Sequence, residues 1–437
     1  MHTRIGVTLF AFTVLFLTGC SSQTTLTSGN GSLMPSLRSQ PASGGYPHVR
    51  PHWTENVLYS FGNGPDGWGP RVGLINIDGT LYGTTEYGGV DVCAGSGCGT
   101  VFSITTSGAY SSLYNFAGSP SDGANPTAAL TNVDHVLFGT TYYGGANKTR
   151  CKVAGQGSGC GTFFKITTAG TETVRYSFAG AKTDGSHPFA GLTNVNGTLY
   201  GTTQSGDGRC SGVVRGCGIV YMITKNGQES VLHRFTGGAD GAYPIAGLTK
   251  LNGSLYGTTY YGGINPNCPS GCGTVFRITP SGTYSQVYRF SGNTGSLTDG
   301  ANPQGSLTNV DGTLYGTTTL GGAAGTGTVF TITTAGVERV IYSFCRLPSC
   351  NDGAQPNGDL IHIGKTLYGT TDTGGANYSG IVYSITTKGD ETALHIFTGY
   401  SDGGNPQGGL INVGGTLYGT TFAGGTSGGG TIFSMSR

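Results

Sequence analysis

Carboxylates, aromatic rings and amides recur in this chain where loops could offer them to a ligand. Seven Asp-Gly-x-x-Pro segments carry Asp66, Asp122, Asp184, Asp240, Asp299, Asp352 and Asp402, closed by Pro70, Pro126, Pro188, Pro244, Pro303, Pro356 and Pro406. An Asp that accepts backbone hydrogen bonds, a Gly at positive φ and a Pro that fixes the next strand describe a turn. Calcium held by a carboxylate and loop carbonyls is the chemical alternative, but the spaced carboxylates of an EF-type loop are missing. Outside these turns, the other set of long, variable loops carries Glu86, Asp91, Asp207 and Asp372, and two of these brought together would suit acid and base roles in hydrolysis. His48, His52, His135, His187, His233, His362 and His395 fall at different places in the pattern, so no metal-ligand spacing emerges. There is no phosphate-cradling loop and no nucleophile elbow. The expectation is no catalytic residue, no metal and no cofactor.

Rings and amides ride on both sets of long loops. Trp68, Asn125, His187, Tyr243, Asn302, Gln355 and Asn405 fill variable places inside the Asp-Gly-x-x-Pro segments, and Tyr87, Tyr142, Tyr143, Tyr260, Tyr261 and Phe422 follow a repeated strand motif. Flat rings beside amide donors and acceptors suit a polar, ring-shaped ligand such as a sugar, with loop packing as the plainer account. Trp68, Tyr87, Asn125, Tyr142, Tyr143, His187, Tyr243, Tyr260, Tyr261, Asn302 and Phe422 are therefore the candidate ligand-binding residues.

What must position them is a repeat. Leu81-Tyr82-Gly83-Thr84-Thr85 returns at 137–141 (with Phe138 for Tyr), 199–203, 255–259, 314–318, 367–371 and 417–421. Copies 50 to 62 residues apart are too long for one solenoid coil and suit a four-stranded propeller blade. In the second unit the strands read 129–133, 137–141, 161–167 and 173–178, in meander order. The fourth-strand motif ends in Phe61, Phe116, Phe178, Phe235, Phe290, Phe344 and Phe397, so one copy precedes the first blade and none follows the last. The fold expected is all-β: a seven-bladed β-propeller of four-stranded antiparallel blades, closed by strand 55–61 pairing with the last blade. Such pairing covers a bare sheet edge, and both long connections of every blade then emerge on one face.

Composition fits an exported repeat fold. Gly 83 and Pro 17 in 437 residues would signal disorder without a period, but here glycine clusters alternate with Val, Ile, Leu, Tyr and Phe. Charged residues are 10% and the net charge is +1, which leaves no basic stripe and excludes nucleic acid as a partner. Ten cysteines fall into five close pairs, Cys93/Cys98, Cys151/Cys160, Cys210/Cys217, Cys268/Cys272 and Cys345/Cys350. Each pair sits alone in its blade without a matching His, so local disulfides are expected in place of zinc.

The eleventh cysteine has another setting. Arg4, the apolar run from Ile5 to Leu17, and Leu17-Thr18-Gly19-Cys20 resemble a bacterial lipoprotein signal with its lipobox. That resemblance implies a lipid on Cys20 as the link to a membrane, and outer-membrane or cell-surface display. The chain then divides into a signal at 1–20, a flexible Ser/Thr/Gly/Pro-rich tether at 21–52 and the propeller at 53–437.

The unit Gly-Thr-Leu-Tyr-Gly-Thr-Thr-x-x-Gly-Gly, then Gly-Thr-Val-Phe-x-Ile-Thr and Tyr-Ser-Phe, resembles the GloVer tandem repeats of bacterial choice-of-anchor surface proteins across residues 55–437. The third unit departs from it, with Gln204-Ser205-Gly206-Asp207 in place of Tyr-Tyr-Gly-Gly. The resemblance implies anchoring and a repeat array and brings no catalytic residues. The function expected is a lipid-anchored extracytoplasmic module that binds a glycan or an envelope protein on the long-loop face. A carbohydrate-active or other hydrolytic enzyme on the same scaffold, or a structural envelope protein, is the alternative.

Overall fold

The computed structural model describes residues 53–437, apart from 63, 90–92, 94, 148–150, 152–157, 181–183, 207–215, 266–267 and 293–298. The signal, the tether, Cys20, Asp91, Asp207 and Cys210 lie outside the described residues.

Seven four-stranded antiparallel sheets stand in a ring and make a seven-bladed β-propeller. In blade 1, Ile75–Ile77, Thr80–Thr85, Thr100–Thr105 and Tyr110–Asn115 pair in chain order. Blades 2 to 6 repeat this meander. Blade 7 supplies Ile411–Val413, Thr416–Thr421 and Thr431–Ser436, and takes Thr54–Ser60 as its outer strand. Val57 faces Phe433 and Tyr59 faces Ile432 in that closing pair.

The repeated residues hold each blade for local reasons. A Cβ on Gly83 would lie 2.5 Å from Phe102 Cζ and 2.8 Å from Leu74 Cδ2, so this glycine lets the third-strand aromatic ring cross the second strand. The hydroxyls of Thr85 and Thr100 meet at 2.9 Å, and the same pair recurs as Thr141 with Thr162, Thr259 with Thr274, Thr318 with Thr328 and Thr421 with Thr431. Such buried pairs satisfy polar groups that would otherwise cost stability.

The core lies in the seams between blades. The phenylalanine ending each fourth strand is buried and meets an aromatic ring of the next blade, as in Phe116 with Phe164 (5.1 Å between centroids) and Phe178 with Tyr221 (5.2 Å). At the closing seam Phe61 plays this part against Phe102 at 5.5 Å, so the borrowed strand brings its own core residue. Full burial of such a side chain is worth roughly 1.5–3 kcal/mol.

The motif aspartates are spent on the same seams. Asp122 Oδ2 accepts from the Ala117 N–H at 2.7 Å and from the Tyr114 hydroxyl at 2.9 Å, and its Oδ1 accepts from the Gly123 N–H at 2.6 Å. Where the tyrosine is replaced, His233 Nε2 reaches Asp240 Oδ2 at 3.4 Å and His395 Nε2 reaches Asp402 Oδ2 at 3.3 Å. These two histidines thus stand in for the tyrosine of the pattern.

Four of the expected cystine pairs are formed: Cys93–Cys98, Cys151–Cys160, Cys268–Cys272 and Cys345–Cys350. Cys217 is also disulfide-bonded, with its expected partner Cys210 outside the described residues. Disulfides of this number suggest an extracytoplasmic protein.

Candidate functional site

The Asp-Gly-x-x-Pro segments do more than turn. Each pairs with the far end of the second strand of its own blade, as in Gly123–Ala124 with Tyr143–Gly144 and Trp68 with Tyr87. The proline then docks on the preceding blade: a Cβ on Gly99 would lie 2.6 Å from Pro126 Cδ, and Gly161, Gly218 and Gly273 stand in the same way to Pro188, Pro244 and Pro303. The chain next runs to the axis and begins the inner strand. The residue after each proline is therefore Arg71, Thr127, Phe189, Ile245, Gln304, Asn357 or Gln407, and all seven line one axial cavity of about 90 Å³.

The residue before the proline adopts positive φ in every blade: Gly69, Asn125, His187, Tyr243, Asn302, Gln355 and Asn405, at 54° to 67°. Trp68 is therefore one place earlier than Asn125 in the repeat, and Gly69 is its true counterpart. Asn125 Nδ2 donates to the Glu86 carbonyl at 3.0 Å, Asn302 Nδ2 to the Tyr260 carbonyl at 2.8 Å, and Asn405 Nδ2 to the Asp372 carbonyl at 2.9 Å. These amides join blade to blade. His187 is buried and packs against Tyr142 at 4.7 Å and Tyr143 at 5.5 Å. Tyr243, Tyr260 and Tyr261 gather at the rim of blade 4, with Tyr261 edge-on to both others.

Blades 7 and 1 bring together what the sequence keeps far apart. Arg71 Nη1 lies 3.4 Å from Glu86 Oε2, and Arg71 Nε donates to Gln407 Oε1 at 2.8 Å. Gln407 Nε2 in turn donates to Asp372 Oδ1 at 3.2 Å. The guanidinium stands over Phe422 at 5.2 Å and over Phe189 at 5.8 Å, a cation on two aromatic faces. Tyr142 touches Phe189 edge-on at 6.1 Å and gives its hydroxyl proton to Gln204 Oε1 at 2.5 Å. Trp68 and Tyr87 stack at 4.3 Å beside this group. Of the four loop carboxylates outside the repeated turns, Glu86 thus pairs with Arg71 directly and Asp372 is linked to it through Gln407.

Burial pushes the Asp372 carboxyl up, against the pull of Gln407, Arg71 and Asn405. Asp359, the other charged residue lining the cavity, accepts the Ser306 N–H at 2.6 Å. Desolvation by the surrounding ring pushes its carboxyl up as well, against the hydrogen bond from Ser306, although the residue stays exposed. Among the described residues no three His, Cys, Asp or Glu side chains group as metal ligands.

The ring of residues after the prolines escaped the candidate set drawn from sequence. Its signal was there: on a scaffold repeated seven times, these positions hold a cation, a hydroxyl, a ring, an aliphatic chain and three amides.

A family model described as the Gloeobacter/Verrucomicrobia repeat matches residues 40–215, 154–383 and 346–437. No curated protein matches the sequence. Solved structures similar in fold include a luciferin-regenerating enzyme, 9% identical, covering 69% of this chain and 88% of that one at a TM-score of 0.40. A chain of the S. cerevisiae dbp5 complex with nup159, gle1, ip6 and adp is 10% identical, covering 89% and 97% at 0.44. A Mycobacterium tuberculosis puromycin-hydrolyzing peptidase is 9% identical, covering 82% and 59% at 0.38. At these identities and scores none of them says what this chain binds or does.

Proposed function

The chain belongs to the Gloeobacter/Verrucomicrobia repeat family, and on that footing we propose that it is an extracytoplasmic propeller that binds a glycan or an envelope protein at the axial cavity. One observation carries this reading. The seven blades share turns, seams and strand motifs, yet the side chain each sends to the cavity differs in chemistry. The prolines fix the backbone there and the fold does not dictate the side chain, which leaves these positions open to serve recognition. Concave sites with a few convergent polar groups and aromatic walls are the usual form of a binding site.

A glycan array and a pull-down from envelope extract test the reading, with Arg71→Ala as the control variant. Binding that fades in the variant supports it. Blank results from both, with the protein folded, overturn it and leave a structural role in the envelope.

A hydrolytic reading is favoured by the placement of Glu86 and Asp372 about Arg71, with Asp372 shifted toward its protonated form by burial. It requires turnover on a polysaccharide panel that Glu86→Gln and Asp372→Asn abolish without loss of binding.

For the attachment, Cys20 is the proposed lipid site, with the bacterial cell envelope as location. Metabolic labelling with a radioactive fatty acid should mark the wild-type chain and not Cys20→Ser.

A further inference from the structure

We propose that the ligand is an extended, uncharged oligosaccharide, one sugar ring of which lies on Trp68 while the chain runs toward the mouth of the axial cavity. This rests on the glycan arm of the function proposed above and goes beyond it in naming a second subsite, a chain length and a charge.

Trp68 occupies a place where the other blades have Ala124, Ser186, Ala242, Ala301, Ala354 and Gly404. A small residue satisfies the fold there, since six blades manage with one. Trp68 pairs with Tyr87 through backbone bonds in both directions, at 3.0 and 3.1 Å, and the two rings stack at 23°. The indole is thus fixed in orientation yet only half-buried. A groove of about 590 Å³ opens beside it, lined by Trp68, Pro65, Ser96 and glycines including Gly64, Gly88 and Gly97. That volume lies within the roughly 300–1,000 Å³ of small-molecule sites. A pyranose presents C–H groups on its faces and hydroxyls round its edge. Its face suits the electron-rich face of an indole, and bare glycine backbone suits the edge.

A chain of contacts leads from the stack to the cavity wall. A Cβ at Gly69 would lie 3.4 Å from Tyr87 Cδ2 and 3.0 Å from Phe422 Cε2, so one glycine backbone separates the Trp68 stack from the ring beneath Arg71. Arg71 is itself part of the cavity wall. Trp68, Tyr87, Phe422 and Arg71 therefore follow one another in contact from the groove to the cavity wall, a surface on which more than one sugar ring could lie.

Charge selects among sugars. The one cation of this surface is already held by Glu86 and Gln407, and Asp372 and Asp359 add negative charge nearby. A uronate or sulfated chain would find that cation already engaged and acidic groups close by, whereas a neutral chain meets only dipoles and rings.

The experiment is calorimetric titration of the full chain with cello-, malto- and chitohexaose, their disaccharides, and polygalacturonate. One neutral hexasaccharide should bind on the order of tenfold tighter than its own disaccharide, because the second subsite acts at high local concentration. Trp68→Ala should erase that gain, Trp68→Phe should keep part of it, and polygalacturonate should not bind. Affinity indifferent to chain length or to Trp68→Ala in a folded variant, or a preference for polygalacturonate, overturns the subsite. Absence of any sugar binding by the wild-type chain instead overturns the glycan reading on which it stands.

Discussion

Asn125, in the second blade, gives its side-chain amide to the main-chain carbonyl of Glu86 in the first, at 3.0 Å. Asn405 does the same for Asp372 across the seam of blades 6 and 7. The two carboxylate residues nearest Arg71 are thus held from behind by the blade that follows each.

Asn125→Ala should lower stability by about 1–3 kcal/mol, since a buried carbonyl loses its donor and Ala must adopt φ of 55°. Asn125→Gly separates the two effects: it relieves the backbone but not the carbonyl, and should fall between wild type and Ala in thermal unfolding.

Removing residues 53–61 should lower the melting temperature far more than removing 21–50, because Thr54–Ser60 is the outer strand of blade 7. Phe61→Ala alone should cost roughly 3–5 kcal/mol, as expected for an emptied aromatic site at a seam. Equal melting curves for the two deletions would disprove the clasp.

Acidity should stabilise the ring down to about pH 5. Burial, then the charge of the neighbouring motif aspartate, raises Glu55, Glu172, Glu229 and Glu338 to about 7 from 4.5. The folded chain therefore holds more protons than the unfolded one between those values, and stability falls as pH rises through that window. Melting temperature should be higher at pH 5.5 than at pH 8, and the difference should shrink when Glu172, Glu229 and Glu338 are changed to Gln together.

Reduction should lower the melting temperature without opening the ring. Each cystine closes a loop of only a few residues, worth roughly 2 kcal/mol in the chain-entropy account. Far-ultraviolet circular dichroism should keep its β signature under reductant at room temperature, and the unfolding transition should move down.

The blade was legible in the sequence because its causes are local and repeated. Gly83 beneath Phe102, the Thr85–Thr100 pair and the phenylalanine of each seam recur at fixed spacing, so pattern and physics coincide. The borrowed strand was legible from the offset of Phe61. The group around Arg71 was not, because Arg71 and Gln407 are 336 residues apart and meet only when the ring closes. A residue preceding proline is normally extended, so nothing in the sequence marks Asn125, Asn302 and Asn405 as seam residues. Their positive φ turns those side chains onto the neighbouring blade, and Gly69 among the seven is the clue that a left-handed position was needed.

The prolines that dock on the preceding blade have a consequence for adaptation. They fasten the main chain just ahead of positions 71, 127, 189, 245, 304, 357 and 407, so those seven side chains are free to change while their carriers stay put. The molecule resembles a combination lock with seven dials on a common frame, of which 71, 189 and 407 are geared together.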